Sequence, residues 1–257
     1  MSKPRVAIHK FSSCDGCQLA FLNMGENLIK LAELVDIVHF VEAGVVDENA
    51  QADIAFIEGS VSTAHDEQRI QQVRANSGLL ISIGACATSG GLQALRNIYD
   101  DGQWLPELYA QPQYIDSLKN SKGVAEYVRV DFEVWGCPIT SQQIIELVSG
   151  FLHGSLPRAD KQNVCMECKR QLNNCVMVTK QLPCMGAVTH GGCGALCPSF
   201  GRDCYACFGP AEHINTASLA NRLVGIGLDK SRIRQRFHLV HSNVPSFKQS
   251  GESAGHE

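Results

Sequence analysis

Cysteine is the residue of this chain whose number and spacing can do chemistry. There are twelve, and eight of them fall between Cys165 and Cys207. A cubane iron–sulfur cluster takes four cysteine thiolates, so twelve suggests three clusters and a protein that moves electrons. Disulfides are the first competing use. Met1-Ser2-Lys3-Pro4-Arg5 runs straight into the apolar Val6-Ala7-Ile8, with no apolar signal region and no twin-arginine pair. No apolar run approaches the roughly 18 to 20 residues of a membrane span. A cytoplasmic chain is therefore expected, and cytosolic thiols are held reduced. A chain of 257 residues also folds without covalent staples.

Four of the cysteines need a sheet to meet. Arg5 to Phe11 reads as an apolar strand, followed by a turn with Ser12, Ser13 and Gly16. Gln18 to Val35 carries Leu19, Phe21, Leu22, Leu28, Leu31 and Leu34 at helical spacing. Val35–Val41, Ala52–Ile57, Leu79–Ile83 and Val128–Trp135 read as strands. Asp66–Ala75 and Thr140–Leu152 read as helices. Strands alternating with helices predict an α/β fold with a parallel sheet covered on both faces, and five strands fit a flavodoxin-like order.

Cys14 and Cys17 follow the first strand in a C-x2-C turn, Cys86 follows Leu79–Ile83, and Cys137 follows Val128–Trp135. All four then lie at carboxyl ends of parallel strands, the edge where open α/β sheets bind ligands. The start of a helix at Cys17 is expected to lower its thiol pKa. Gly16, Gly84 and Gly136 allow close approach of the backbone to a bulky inorganic core. A redox C-x2-C beside two buried cysteines, or a zinc site, would use the same residues. Glu58 ends a strand at this edge. It either takes part in proton movement or is a hydrogen-bonded strand-end carboxylate, and the second is the expectation.

Near Leu156-Pro157-Arg158 the composition changes, which predicts a flavodoxin-like domain over 1–155 and an irregular domain over 156–257. Residues 160 to 210 have cysteine, glycine and proline in place of long periodic runs, so a metal framework is needed to hold one shape. The spacing from Cys165 is C-x2-C-x6-C-x8-C to Cys184, then C-x3-C-x6-C-x2-C from Cys193 to Cys207. Two consecutive quartets are the simplest partition. Zinc is again the rival, although zinc ribbons show two pairs of more regular spacing. Glu212–Val224 and Lys230–Phe237 read as short helices, and Pro245–Glu257 as a polar, poorly ordered tail.

Apolar residues make up 44% of the chain and charged residues 19%, with a formal net charge of -4. That is a globular composition without the basic footprint of a nucleic-acid binder. No G-x-G-x-x-G occurs, so nicotinamide binding is expected on a partner. Twelve thiolates suffice as ligands, and the nine histidines are expected on the surface or in packing. Trp104 and Trp135 read as core or interface residues, and 92–122 as an insertion near the cysteine-bearing edge.

The chain resembles the small, electron-transferring subunit of nickel–iron hydrogenases. The matching segments are Cys14-Asp15-Gly16-Cys17, Ile57-Glu58-Gly59-Ser60, Ile83-Gly84-Ala85-Cys86-Ala87-Thr88 with Gly90-Gly91, and Gly136-Cys137-Pro138. Further on they are Cys184-Met185-Gly186-Ala187-Val188-Thr189, Cys193, and Cys204-Tyr205-Ala206-Cys207. The resemblance implies three 4Fe–4S clusters. Cys14, Cys17, Cys86 and Cys137 would hold the proximal one, nearest a nickel–iron centre carried by a large subunit. Cys193, Cys197, Cys204 and Cys207 would hold the medial one, and Cys165, Cys168, Cys175 and Cys184 the distal one. Many periplasmic relatives have histidine at the place matched by Cys165, and many replace one medial cysteine with proline. This chain has cysteine at both.

The resemblance is to the cytoplasmic branch, whose complexes couple hydrogen to NAD(P) or to sulfur. It implies a nickel–iron large subunit and flavin and iron–sulfur subunits as partners. Electrons would enter at the proximal cluster and leave from the distal one. Related redox complexes fit less well: the complex I relative shows two adjacent cysteines at the first site and the deazaflavin-linked relative carries C-x2-C-x2-C runs, and neither occurs here. A zinc-stapled binding module without a redox role remains the alternative of a different class.

Overall fold

The computed structural model describes residues 3–98, 101–155 and 162–255. The join at Leu156–Arg158 and His256 lie outside them, as does the side chain of Trp104. Two compact units form, Met1–Ile144 and Ile145–Glu257.

The first unit is a parallel sheet in the order β2-β1-β3-β4-β5, the flavodoxin-like order. Its strands are β1 (Arg5–Lys10), β2 (Asp36–Phe40), β3 (Ala52–Glu58), β4 (Ser77–Ile83) and β5 (Phe132–Val134). Residues of both faces are buried, among them Val6, Ala7 and Ile8 of β1 and Ile54, Ala55, Phe56 and Ile57 of β3. That is why these strands read as continuous apolar runs rather than alternating ones. The helices are α1 (Gly16–Leu22), α2 (Glu26–Leu34), α3 (Ala64–Ala75), α4 (Gly84–Ser89), α5 (Asp101–Leu108) and α6 (Ser141–Leu152), the last crossing into the second unit. Thr63 and Asp66 close a capping box on α3. Ile70 and Val73 of α3 then enter a core with Ile57, Leu80, Val124 and Val128, each burial stabilising by about 1.5–3 kcal/mol.

Two expected elements come out differently. The helix expected from Gln18 to Val35 is two helices, because Gly25 stands between them at φ 59, a left-handed conformation open to glycine. The strand expected from Val128 to Trp135 shrinks to three residues. Its first half coils instead, with Tyr127 and Val128 N–H bonded to the Val124 carbonyl. Val128 reaches the core without pairing. Asp131 then pins the strand's start, accepting from Leu80 N at 2.9 Å and Arg74 Nη1 at 2.6 Å.

The insertion at 92–122 is tied to the sheet edge. Ser121 exchanges hydrogen bonds with Asn97, and its hydroxyl meets those of Ser60 and Ser62 at 2.9 and 3.1 Å. His9 and His39 stack at 4.4 Å between ring centroids inside the sheet layer. Burial, then the neighbouring His39 and Arg69, pushes His9 down to about 3, so it packs as a neutral ring. Trp135 is half-buried, its indole N–H donating to Glu133 at 3.2 Å.

The second unit begins with little regular structure: α7 (Val164–Arg170), α8 (Val176–Thr179) and α9 (Leu196–Ser199) are short. It then turns helical, with α10 (Thr216–Gly225) capped by Asn215 and α11 (Lys230–His238) capped by Asp229. The polar tail expected from Pro245 is instead α12 (Pro245–Gly255). Phe247 is buried and meets Phe237 edge-on at 5.8 Å. One aromatic at the right place holds a segment whose other residues are polar. Among the described residues, no helix is long and apolar enough to cross a membrane.

Candidate functional site

The carboxyl edge of the sheet collects the first four cysteines. Beyond β1, Phe11 and Ser12 N–H bond to the carbonyls of Glu58 and Ser60, carrying the pairing with β3 past the strand end. The chain then turns through Asp15 at φ 65, a conformation a short polar side chain tolerates. Lys10 Nζ holds Asp15 at 2.7 Å. Glu58, at the tip of β3, takes the opening of α1. Its Oε1 accepts from Cys17 N at 2.9 Å and its Oε2 from Gln18 Nε2 at 2.9 Å. Glu58 is therefore a hydrogen-bonded strand-end carboxylate, raised by burial against those donors.

The other two cysteine-bearing turns are fastened together. Ala85 N donates to the Gly136 carbonyl at 2.7 Å, joining the turn of Cys86 to that of Cys137. Gly84 sits at φ 82, and a Cβ there would collide with Cys17 Sγ; one at Gly91 would lie 2.8 Å from Cys86 Sγ. The four sulfurs share one environment. Cys86 and Cys137 act on Cys17, Cys137 and Cys14 act on Cys86, and Cys14 acts on Cys137. Gly84→Ala should cost about 1–2 kcal/mol for the left-handed backbone alone, and the collision adds to it. A fall in melting temperature together with lower iron content is the expected result; an unchanged melting temperature would count against the geometry.

The expected lowering of the Cys17 pKa is overturned. Burial pushes this thiol well above its ordinary value, and neighbouring Glu58, Cys86 and Cys137 add to the rise. The bond from the Ile139 backbone opposes this but does not outweigh it. The free N–H at the helix start is taken by Glu58 rather than by sulfur.

In the second unit the quartet of Cys165, Cys168, Cys175 and Cys184 is also brought together. All three others act on Cys165, whose thiol is pushed up to about 11, first by burial. A Cβ on Gly186 would stand 3.6 Å from both Cys165 Sγ and Cys184 Sγ. In the last quartet Cys193 neighbours Cys197, and Cys204 neighbours Cys207. The α9 turn connects these pairs, with Arg202 N donating to the Cys197 carbonyl at 3.0 Å. Cys204 N donates to Cys184 Sγ at 3.3 Å, linking the two quartets. His241 Nε2 faces the Cys207 carbonyl at 3.1 Å, and burial lowers this ring to about 4.

All twelve cysteines are free of disulfides. Among the described residues no three Cys, His, Asp or Glu side chains close on one point as ligands of a single ion would. A four-iron cluster asks for a different arrangement, four thiolates spread around an inorganic core. Buried thiols beside one another, glycines whose missing Cβ leaves room at sulfur, and backbone N–H groups directed at sulfur fit such a core. Ligation replaces each thiol proton by metal.

Two side chains escaped the sequence reading. Glu167 lies inside the Cys165–Cys168 pair and accepts from Gly192 N and Ala195 N at 2.6 and 3.0 Å. An acidic residue within a C-x2-C pair was the available signal. Thr189 Oγ1 lies 3.6 Å from Cys204 Sγ; the residue stands in a segment that carries the family resemblance, but no role was read for it.

Residues 14–151 match the family described as NADH ubiquinone oxidoreductase, 20 Kd subunit. The chain is 32% identical to sulfhydrogenase 2 subunit delta of Pyrococcus furiosus, over 90% of this chain and 97% of that one. It is 28% identical to the NAD-reducing hydrogenase HoxS subunit delta of Cupriavidus necator, over 59% of this chain and 80% of that one. The crystal structure of an NAD+-reducing [NiFe]-hydrogenase in the H2-reduced state superposes with a TM-score of 0.56 at 28% identity. The match covers 62% of this chain and 96% of that one. The chain belongs to the NADH ubiquinone oxidoreductase 20 Kd subunit family, and within it is a small subunit of the nickel–iron hydrogenase kind.

Proposed function

We propose that this chain is the electron relay of a cytoplasmic hydrogenase complex. It would pass electrons between a hydrogen-converting nickel–iron large subunit and a flavin- and NAD(P)-linked or sulfur-linked partner through three 4Fe–4S clusters. The observation that carries the reading is the gathering of Cys14, Cys17, Cys86 and Cys137 from three separate strand ends to where their sulfurs act on one another, with Cys17 buried and Cys14 exposed. The delta subunits of a sulfhydrogenase and of an NAD-reducing hydrogenase among its relatives support both the role and the class of partner.

Iron–sulfur clusters supply one-electron transfer, and the chain's own residues set its conditions. Cys14, Cys17, Cys86 and Cys137 would hold the proximal cluster. Cys193, Cys197, Cys204 and Cys207 would hold the medial one, and Cys165, Cys168, Cys175 and Cys184 the distal one. Burial of Cys17, Cys184 and Cys204 excludes water from the sulfurs. N–H donors such as Ala206 to Cys204 Sγ at 3.4 Å would stabilise added electrons. The two units divide at Ile144–Ile145, ahead of the expected boundary at 155, and each would have its own share, one cluster on the sheet edge and two on the irregular segment.

Iron, sulfide and zinc assay of the anaerobically purified complex tests this. About twelve iron per chain, four for each cubane, is the expected result. Stoichiometric zinc with little iron would replace the relay by a zinc-stapled binding module.

A further inference from the structure

We propose that Glu167 is a positioning residue that fixes the Cys193 loop to the helix of Cys165 and Cys168, and that its charge lowers the reduction potential of the cluster on Cys193. The proposal rests on the reading of Cys165 to Cys207 as ligands of two clusters.

Glu167 projects from α7, between Cys165 and Cys168 in sequence. Its Oε1 accepts from Gly192 N at 2.6 Å, and its Oε2 from Ala195 N at 3.0 Å with Cys193 Sγ at 3.8 Å. One turn later Gln171 Nε2 donates to the Gly194 carbonyl at 2.8 Å. Residues four apart share a helix face, so one side of α7, with Gln171 at its C-terminal cap, holds Gly192, Gly194 and Ala195. The N–H groups at the two ends of the loop, Gly192 and Ala195, each donate to one oxygen of the carboxylate, so the protein's own anion spans the loop. A Cβ at Gly191 would already lie 3.3 Å from Glu167 Oε1, so the loop is wrapped closely about the carboxylate.

Two consequences follow from that placement. The position of Cys193 relative to Cys165 and Cys168 is set by a side chain that is not itself a ligand, as outer hydrogen-bond partners set metal ligands elsewhere. With iron in place of the thiol proton on Cys193, a negative charge remains close to its sulfur. Adding an electron there is opposed by Coulomb repulsion, so the potential lies below that of the same site without the carboxylate.

The test is a redox titration of the complete complex, followed by electron paramagnetic resonance, with iron and sulfide assay beside it. Glu167→Gln keeps the length and removes the charge. Unchanged iron with an upward shift in the potential of one cluster is the expected result. Unchanged iron with every potential as in the native complex would overturn the proposal, and so would an equal shift in all clusters. Should Glu167→Gln lose iron, Glu167→Asp decides. Iron retained with Asp but lost with Gln supports the carboxylate's role, whereas equal loss in both overturns it. A native complex that carries zinc in place of iron would instead remove the cluster reading itself, before any variant is made.

Discussion

Cys137→Ser in the assembled complex should stop electron flow from hydrogen to every acceptor, dyes included. The sulfur of Cys137 shares its surroundings with Cys14 and Cys86, and its turn is fastened to that of Cys86 through Ala85 N and the Gly136 carbonyl. A serine hydroxyl is a harder and more basic donor than a thiol and is a poor substitute on iron that prefers sulfur. Loss of an outer hydrogen-bond partner costs a metal site roughly 10 to 100-fold, so loss of a ligand should exceed that. Cys14→Ser should behave alike. Hydrogen-dependent dye reduction near the native rate, in a variant shown to retain its large subunit, would remove Cys137 from the electron path.

Cys165→Ser should separate two activities that Cys137→Ser loses together. On the reading above, Cys165 belongs to the cluster from which electrons leave for the physiological acceptor. Hydrogen-dependent reduction of that acceptor should fall by more than about 10-fold, with dye reduction largely kept, since small dyes take electrons from inner clusters. The exposure of Cys175 in the same quartet suits a cluster that faces a partner. Equal loss of both activities in a properly assembled variant would reverse the assigned order.

The cysteine-bearing edge was legible because it depends on strand ends, which the apolar runs mark clearly. Cys86 and Cys137 stand just past Ile83 and Val134, where the runs stop. The alternation of strands with helices marked a parallel sheet, and five strands fit the order observed without fixing it. What was not legible depends on competition between local signals and tertiary burial. Val128 has a strand former's side chain, yet it reaches the core from a coil. Pro245–Gly255 reads as polar, yet Phe247 against Phe237 is enough to order it. The helix start at Cys17 suggested an acidic thiol, but desolvation outweighed it. Glu167 was passed over because its importance lies in the loop folded around it; its place inside a C-x2-C pair was the one signal.

The two ways of gathering ligands also impose a timetable on biogenesis. The eight cysteines of the second unit lie within one short stretch of chain, so a nascent or loosely folded polypeptide can present them to a cluster carrier. The first quartet has no such freedom. It exists only when β5, a three-residue strand at the sheet's edge, has docked on β4 and brought Cys137 beside Cys86. Such long-range parallel pairing forms late in folding. A cluster held by that quartet would therefore have to wait for the finished sheet, and a factor delivering it would meet a folded protein rather than a peptide.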